Sequence, residues 1–408
     1  MPKTHKDKQI LSELFNSALN AVNGCSAVEQ QLLRNPIEGN VAIIAVGKAA
    51  AAMMLGAQKQ LKDQIQSALI ITKVGHADNN LSWPCIESGH PIPNLKSLEA
   101  GAKLLEFISN IPEESKLLAL ISGGASALVE VLPENMDLKL LERINKWLLG
   151  SGLTIEEINR IRQAISLIKG GKALNYLSQN SMTQFLISDV KGDDPEIIGS
   201  GLFVAREKNS AFPDITKLPN WFKKYIQPVG HSNVQISVES HIIASNEMAC
   251  QAIIEHANRL NYEVYYHGQS LYGDVYELAQ SLAKELINGV SGLHIWGGES
   301  TLVLPDSPGR GGRNQSLALA LACALEGIDG ITVLVGATDG NDGPTDDAGA
   351  IIDGLTLQRG QSESSRCAKD YLLAADAGTF LANSGDLLST GPTGTNVMDI
   401  VIALKESI

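Results

Sequence analysis

The sequence predicts an α/β fold in two domains, because strand-like and helical runs alternate along the chain on both sides of a break. The break, at residues 213–233, contains three prolines and shows no clear hydrophobic period. We therefore expect an N-terminal domain over residues 1–235, with a doubly wound and mostly parallel sheet, and a smaller C-terminal α/β domain over residues 236–408.

The elements of the first domain follow from hydrophobic period. Apolar residues recur at helical spacing from Ile10 to Val22 and predict a first helix, and the β-rich run 41–46 predicts the first strand. Further strands are predicted at 68–72, 117–121 and 184–188, and further helices at 95–108, 138–149 and 154–169.

The second domain continues the alternation beyond the break. Strands are predicted at 241–244, 262–266 and 294–296, and helices at 247–259, 275–287 and 317–325. Glycine-rich turns lie among the later elements, and there is no internal repeat.

Composition limits the classes of function. The 408 residues are 44% hydrophobic and 19% charged, which is typical of a globular protein. The formal net charge is −13, which argues against nucleic acid or a membrane surface as partner. An anionic small molecule would have to find local positive charge.

The cysteines and the N-terminus indicate the compartment. Five cysteines, with neither CxxC nor Cys/His zinc spacing, favour buried free thiols in a reducing environment. No signal-peptide core and no apolar stretch of membrane-spanning length are seen, so we expect a cytoplasmic protein. The oligomeric state stays open, a homodimer included.

Three glycine-rich segments in the second domain, 297–315, 337–349 and 391–396, predict a ligand-binding surface. Arg313 stands just before an apolar helical run, where an anion would meet both a guanidinium and a helix N-terminus. The segments supply these further candidate binding residues: Gly311, Gly312, Asn314, Asp339, Asp342, Thr393, Thr395 and Asn396. The aspartates fail the register of a calcium loop, which leaves magnesium with a phosphate or plain turn chemistry.

Two strand-to-helix junctions in the first domain are the corresponding candidates. Gly47 and Lys48 follow the first strand, where a lysine either faces a bound anion or is solvated. A second junction carries Ser122, Gly123, Gly124 and Ser126, which could hold a phosphate or oxyanion or form an ordinary tight turn. Neither a GxxxxGK[ST] loop nor a GxGxxG fingerprint occurs, and the second junction lacks the last glycine of GxSxG.

Acidic residues follow the last strand of the first domain. Asp189 and Asp193 lie where open α/β sheets bind ligands and could hold Mg²⁺ or accept a proton; alternatively Asp-Asp-Pro is a turn sequence. His90 lies on a proline-rich loop and could contact substrate, although a lone loop histidine is more often structural.

Taken together, these motifs resemble the glycerate 2-kinase family, whose C-terminal part is called the MOFRL domain. The segments that carry the resemblance stand in the family's order and cover most of the chain: VGKAA, ESGHPIP, ISGGASAL, ISDVKGDDPEIIGSG, GRGGRNQ, ATDGNDGPTDDAGAIIDG and GPTGTN. The resemblance implies a MOFRL-type C-terminal domain and an active site in a cleft between the two domains. It also implies transfer of phosphate from ATP, with Mg²⁺, to the 2-hydroxyl of D-glycerate.

The resemblance further implies roles for particular residues. Lys48 and Arg313 match the family residues tied most closely to phosphate and substrate, and Asp189 is the candidate to hold Mg²⁺ or draw the hydroxyl proton. Ser316 stands where the family usually has glutamate. Two alternatives remain: a hydroxypyruvate reductase, against which the missing GxGxxG argues, and a non-catalytic sugar-acid-binding protein, against which the missing export signal argues.

Overall fold

The computed structural model describes residues 3–204, 214–226, 236–361 and 366–407. The chain forms two compact units: Gly24–Ile243, here called the parallel-sheet unit, and Met1–Asn23 with Ala244–Ile408, here called the mixed-sheet unit. The predicted boundary near residue 235 lies outside the described residues. Among the helices that the structure describes, none is long and apolar enough to cross a membrane.

The parallel-sheet unit is built on one six-stranded sheet. Its strands are β1 (Val41–Val46), β2 (Ile65–Lys73), β3 (Cys85–Ser88), β4 (Lys116–Ile121), β5 (Ser181–Ile187) and β6 (Ser237–Ala244). The order across the sheet is β3-β2-β1-β4-β5-β6, and β1 runs parallel to both β2 and β4. All six residues of β1 are buried, as expected for a strand covered on both faces.

Capping residues set the bounds of helices in this unit. They are α2 (Gly24–Arg34), α3 (Ala50–Leu61), α4 (Leu95–Ser109), α5 (Ala125–Leu128), α6 (Leu138–Leu149), α7 (Ile155–Ile165) and α8 (Asn220–Lys223). Helix α6 has the predicted bounds because the Asp137 carboxylate accepts a hydrogen bond from the Leu140 amide at 2.8 Å and Gly150 follows its end.

Helix α7 is shorter than predicted. A capping box between Thr154 and Glu157 opens it, but the backbone of Ser166 is already extended, so the helix does not reach residue 169. The Ser166 hydroxyl donates to Glu130, and the Lys169 ammonium binds the same carboxylate. A buried ion pair therefore replaces the last helical turn that the hydrophobic period predicts.

The mixed-sheet unit has a second six-stranded sheet and a short ribbon. Its strands are β7 (Val264–Gln269), β8 (Gly273–Asp274), β9 (Gly292–Gly298), β10 (Ser300–Thr301), β11 (Ile331–Ala337), β12 (Gly349–Asp353), β13 (Leu387–Leu388) and β14 (Asp399–Lys405). The large sheet has the order β13-β12-β11-β14-β9-β7, and only its β7–β9 pair is parallel among the pairs that the structure describes. The C-terminal strand β14 lies inside the sheet, antiparallel to both neighbours.

Helices cover this sheet, and the first helix of the chain is one of them. They are α1 (Lys3–Ala21), α9 (Asn246–Arg259), α10 (Val275–Asn288), α11 (Arg313–Ala324), α12 (Thr356–Gln361), α13 (Ala368–Leu373) and α14 (Ala377–Ser384). The apolar stripe of α1 packs on α9, β11 and β14, and Phe15 is fully buried against Gly336. Residues 314–322 of α11 are all buried, so this helix is central to the core.

The predicted α/β fold class is confirmed: the strand pairs β1–β2, β1–β4, β2–β3 and β4–β5 of the first sheet are parallel, and the smaller C-terminal region is built on a mixed sheet. One expectation about the thiols is wrong. The five cysteines are unpaired, but only Cys250 is buried, and Cys367 is exposed. Burial therefore does not explain why these cysteines are unpaired.

Candidate functional site

The carboxyl ends of β1 and β4 form the first candidate site, here called the Lys48 cluster. These two strands are parallel neighbours at the point where the strand order reverses. Open α/β sheets bind ligands at such a point, because the loops after the two strands diverge and leave a crevice. Gly47 and Lys48 follow β1, and Ser122 follows β4.

Close packing between the two junctions explains their glycines. Gly47 has φ +138°, and a Cβ atom there would overlap the Ser122 side chain. The Ser122 hydroxyl is fully buried and accepts a hydrogen bond from the Ala49 amide at 3.0 Å, while the Lys48 amide donates to the Gly123 carbonyl at 2.8 Å. The turn after β1 is thus fixed against the turn after β4.

The next turn brings His90 to the cluster. Gly124 has φ +83°, and a Cβ atom there would be 2.9 Å from the His90 ring and 3.3 Å from Lys48 Cγ. Ser126 follows at the start of α5, and its hydroxyl oxygen accepts a hydrogen bond from Ser200 at 2.8 Å. The structure therefore brings together Lys48, His90 and the glycine turn, which lie far apart in sequence.

The two predicted acidic residues lie beyond the carboxyl end of β5, the strand next to β4. Asp193 has φ +55° in a turn with Gly192, and its Oδ1 atom is buried without a hydrogen-bond partner. Asp189 is half-buried. Among the described residues no three His, Cys, Asp or Glu side chains are grouped as metal ligands, so a metal here would need oxygens from a ligand or water.

The second candidate site, here called the Arg313 cluster, lies at the N-terminus of α11. Arg313 Nε donates to Asp399 Oδ2 at 2.7 Å, Nη2 donates to Asp399 Oδ1 at 3.1 Å, and Nη1 is 2.6 Å from Glu299 Oε1. Burial alone would lower the pKa of Arg313, but the carboxylates of Asp399 and Glu299 outweigh it and raise that pKa. The guanidinium is therefore a permanent, oriented cation.

Asp342 closes the N-terminus of α11 from another loop. Its carboxylate accepts hydrogen bonds from the amides of Asn314 and Gln315 at 3.0 and 2.8 Å. Gly311 and Gly312 precede the helix, and a Cβ atom on Gly312 would overlap this carboxylate. Burial raises the pKa of Asp342 to about 7, against the lowering effect of the two amides.

The third glycine segment is tied to the loop that carries Asp339. The Thr393 hydroxyl donates to the Thr338 carbonyl at 2.5 Å, and the Val397 amide donates to the Thr338 hydroxyl at 2.8 Å. Asn396 is buried, and the buried Thr395 hydroxyl has no hydrogen-bond partner among the described residues. The structure thus connects this segment to the end of β11.

Sequence reasoning missed two residues that hold Arg313. Asp399 is 2% exposed and belongs to no glycine motif, although it comes three residues after Asn396. Glu299 lies inside the first glycine segment but was not singled out. The only sequence feature that could have indicated them is that each is a carboxylate inside or close to a glycine-rich segment.

Two family models match the chain. Residues 10–222 match a family model described as a domain of unknown function (DUF4147), and residues 292–399 match the MOFRL family. The chain is 33% identical to a D-glycerate 2-kinase of Thermotoga maritima, over 97% of this chain and 98% of that protein.

It is also 34% identical to a putative hydroxypyruvate reductase of Agrobacterium vitis, over 89% of this chain and 98% of that protein. Among solved structures, the glycerate kinase of Thermotoga maritima superposes with a TM-score of 0.82 at 31% identity, covering 98% of this chain and 100% of that one.

Proposed function

The chain belongs to the glycerate 2-kinase family, and we propose that Lys48 and Arg313 supply the charge that its phosphoryl transfer requires. The protein transfers phosphate from ATP to the 2-hydroxyl of D-glycerate, with 2-phosphoglycerate and ADP as products. Phosphoryl transfer depends mainly on positioning and electrostatic stabilisation, so oriented cations and backbone donors are the groups to look for.

The observation that carries the assignment is the packing of the Lys48 cluster at the reversal of strand order. There the buried Ser122 hydroxyl and the Gly123 carbonyl accept hydrogen bonds from the amides of Ala49 and Lys48, which fixes Lys48 beside the Gly124 turn. We assign Lys48 to neutralising charge on the transferred phosphoryl group. The turn from Ser122 to Ser126 would bind phosphate or substrate oxygens, with His90 beside it.

Arg313 would bind an anionic group of the substrate. A guanidinium has five N–H donors, of which three already meet the carboxylates of Asp399 and Glu299. The remaining two N–H groups can donate to a carboxylate or phosphate of the substrate. Their direction is fixed because Asp399 and Glu299 hold the guanidinium in one orientation. Other binding contacts are assigned to Gly311, Gly312, Asn314, Asp339, Asp342, Thr393, Thr395 and Asn396.

Mg²⁺ fits the acidic residues after β5. Asp193 offers a buried carboxylate oxygen without a hydrogen-bond partner, and Asp189 precedes it at the same edge of the sheet. Magnesium is usually held by one or two carboxylates together with phosphates and water, which agrees with the absence of a larger ligand group among the described residues. The ion would neutralise phosphate charge, and we assign Asp189 also to accept the hydroxyl proton.

Product analysis tests the function. Purified protein is incubated with ATP, Mg²⁺ and D-glycerate, and phosphorus NMR separates 2-phosphoglycerate from 3-phosphoglycerate. We expect the 2-phosphate and stoichiometric ADP. A parallel assay with NADH and hydroxypyruvate tests reductase activity, which the relative from Agrobacterium vitis suggests; NADH oxidation without ADP formation would overturn the kinase.

A further inference from the structure

The parallel-sheet unit contains a cavity whose wall at His90, Gly124 and Ser126 belongs to the candidate site and whose remaining lining the assignments above do not use. It has a volume of about 810 Å³ and lies beneath α6 and α7, with Gly124 and Ser126 in one wall. Gly124 also borders Lys48, so the cavity opens beside the Lys48 cluster. A volume of this size suits a ligand of nucleotide size and is far larger than a three-carbon acid fills.

The lining combines apolar surface with an excess of positive charge. Pro93, Leu141 and Ile165 supply apolar contact. The charged lining residues are the cations Lys146, Arg162 and Lys169 and the carboxylates Glu130 and Glu142. Glu130 and Lys169 neutralise each other as a buried ion pair, and Glu142 offsets one of the two remaining cations, so Lys146 and Arg162 leave a net excess of one positive charge. This local charge contrasts with the net charge of −13 on the whole chain.

Arg162 is the most informative group in the cavity. Its Nε donates to the neutral Asn145 side chain at 3.1 Å, and in the part of the chain that the structure describes no carboxylate lies within ion-pair distance. Burial lowers the pKa of Arg162, and no neighbouring charge opposes this. Arg162 is half-buried, and a partly desolvated guanidinium without a counter-ion is stabilised when an anionic ligand supplies the opposite charge.

We propose that this cavity binds the adenosine part of the nucleotide, with a phosphate oxygen on Arg162 and the phosphate chain directed past Gly124 to Lys48. The proposal rests on the kinase function and adds the place of the nucleotide. Adenine would lie against Pro93, Leu141 and Ile165, and the Asn145 side-chain amide, which also lines the cavity, would donate a hydrogen bond to it. Glycerate would then bind outside this cavity.

Two variants with matched controls test the proposal. Arg162→Met removes the charge but keeps most of the volume, and Arg160→Met changes an exposed arginine on the same helix that does not line the cavity. Asn145→Trp fills the cavity, and Asn145→Ala removes the same amide without filling it. Calorimetry gives the Kd for ADP, and initial rates give the KM for ATP and for D-glycerate.

We expect Arg162→Met and Asn145→Trp each to raise the ADP Kd and the ATP KM at least tenfold. In these two variants the KM for D-glycerate should stay within about twofold of wild type. In Arg160→Met the ADP Kd and the ATP KM should also stay within about twofold of wild type. For Asn145→Ala the ADP Kd and the ATP KM should rise by more than twofold and less than tenfold. If Asn145→Trp fails to fold, as its melting curve would show, Arg162→Met still carries the test.

Other outcomes would overturn the placement. An unchanged ADP Kd in both variants, with wild-type enzyme active, would mean that the cavity does not hold the nucleotide. A raised glycerate KM with unchanged ADP affinity would assign the cavity to the sugar acid instead. Wild-type protein that neither binds ADP nor phosphorylates glycerate would refute the kinase function itself, and the placement with it.

Discussion

Lys48 and Arg313 reach their positions in different ways, and this affects how their substitution should behave. Lys48 projects from a turn held by backbone hydrogen bonds, whereas Arg313 is held through its own side chain by Asp399 and Glu299. Loss of Lys48 leaves its turn intact. Loss of the Arg313 charge leaves the buried Asp399 carboxylate without its main partner, which costs stability as well as function.

We expect Lys48→Met and Arg313→Gln each to lower kcat/KM by about two or more orders of magnitude, as is typical when a group that stabilises developing charge is removed. Lys96→Met and Arg34→Gln, which change exposed cations, serve as controls. Arg313→Gln should also lower the melting temperature, because it leaves the buried Asp399 carboxylate without its main partner. Near-normal kinetics in either variant would show that the residue is not part of the phosphoryl-transfer site.

Asp342 predicts a pH dependence of stability. Its folded-state pKa of about 7 lies above the ordinary value, so the folded state binds the proton more tightly than the unfolded state does. The stability that this group contributes is therefore fully present below about pH 4 and is lost as the pH rises towards 7. From pH 5 to pH 8 the loss should be on the order of 2 kcal/mol.

The matched variant is Asp342→Asn, which stays neutral throughout. The difference in melting temperature, variant minus wild type, should become more positive from pH 5 to pH 8. A difference that does not change with pH would show that Asp342 titrates normally in the folded protein.

At the scale of elements, the hydrophobic period predicted most helices and strands but not what they pack against. The bounds of α6 agree with the prediction because polar caps mark both ends, whereas α7 ends early because Glu130, distant in sequence, binds Lys169. The apolar stripe of α1 showed that one face is buried. No local signal indicated that this face lies on β11 and β14.

The same limit applies to the candidate site. Glycine turns were visible because a positive φ or a close approach restricts a position to one residue type, as at Gly47 and Gly124. Asp399 and Arg162 could not be found, since their importance depends on which side chains surround them after folding. The sequence thus predicted the backbone of the site better than its charges.

Helix α1 gives a test at this scale. Phe15→Ala removes a fully buried ring next to Gly336 and should lower the free energy of unfolding of the mixed-sheet unit by about 3 to 5 kcal/mol. Asn16→Ala, an exposed neighbour on the same helix, should change it by less than about 0.5 kcal/mol. Denaturant unfolding followed by far-UV circular dichroism measures both, and equal effects would mean that α1 does not contribute to the core.

For the whole molecule, the division into units predicts how fragments behave. The parallel-sheet unit is continuous in sequence, whereas the mixed-sheet unit needs residues 1–23 together with residues 244–408. We expect a fragment of residues 24–243 to melt cooperatively. A fragment of residues 244–408 should be unstable alone and should be stabilised when residues 1–23 are fused to it. A stable, cooperative fragment 244–408 would contradict this.

The packing of α1 on β14 also constrains the order of events on the ribosome. Helix α1 packs on α9, β11 and β14, and β14 ends at residue 405, so part of the apolar stripe of α1 stays uncovered while about 380 residues are added. At ordinary rates of synthesis this takes roughly 20 to 80 s. The parallel-sheet unit has its whole sequence available long before then. Nascent chains stalled before β14 should therefore expose α1 to chaperones, and completed chains should not.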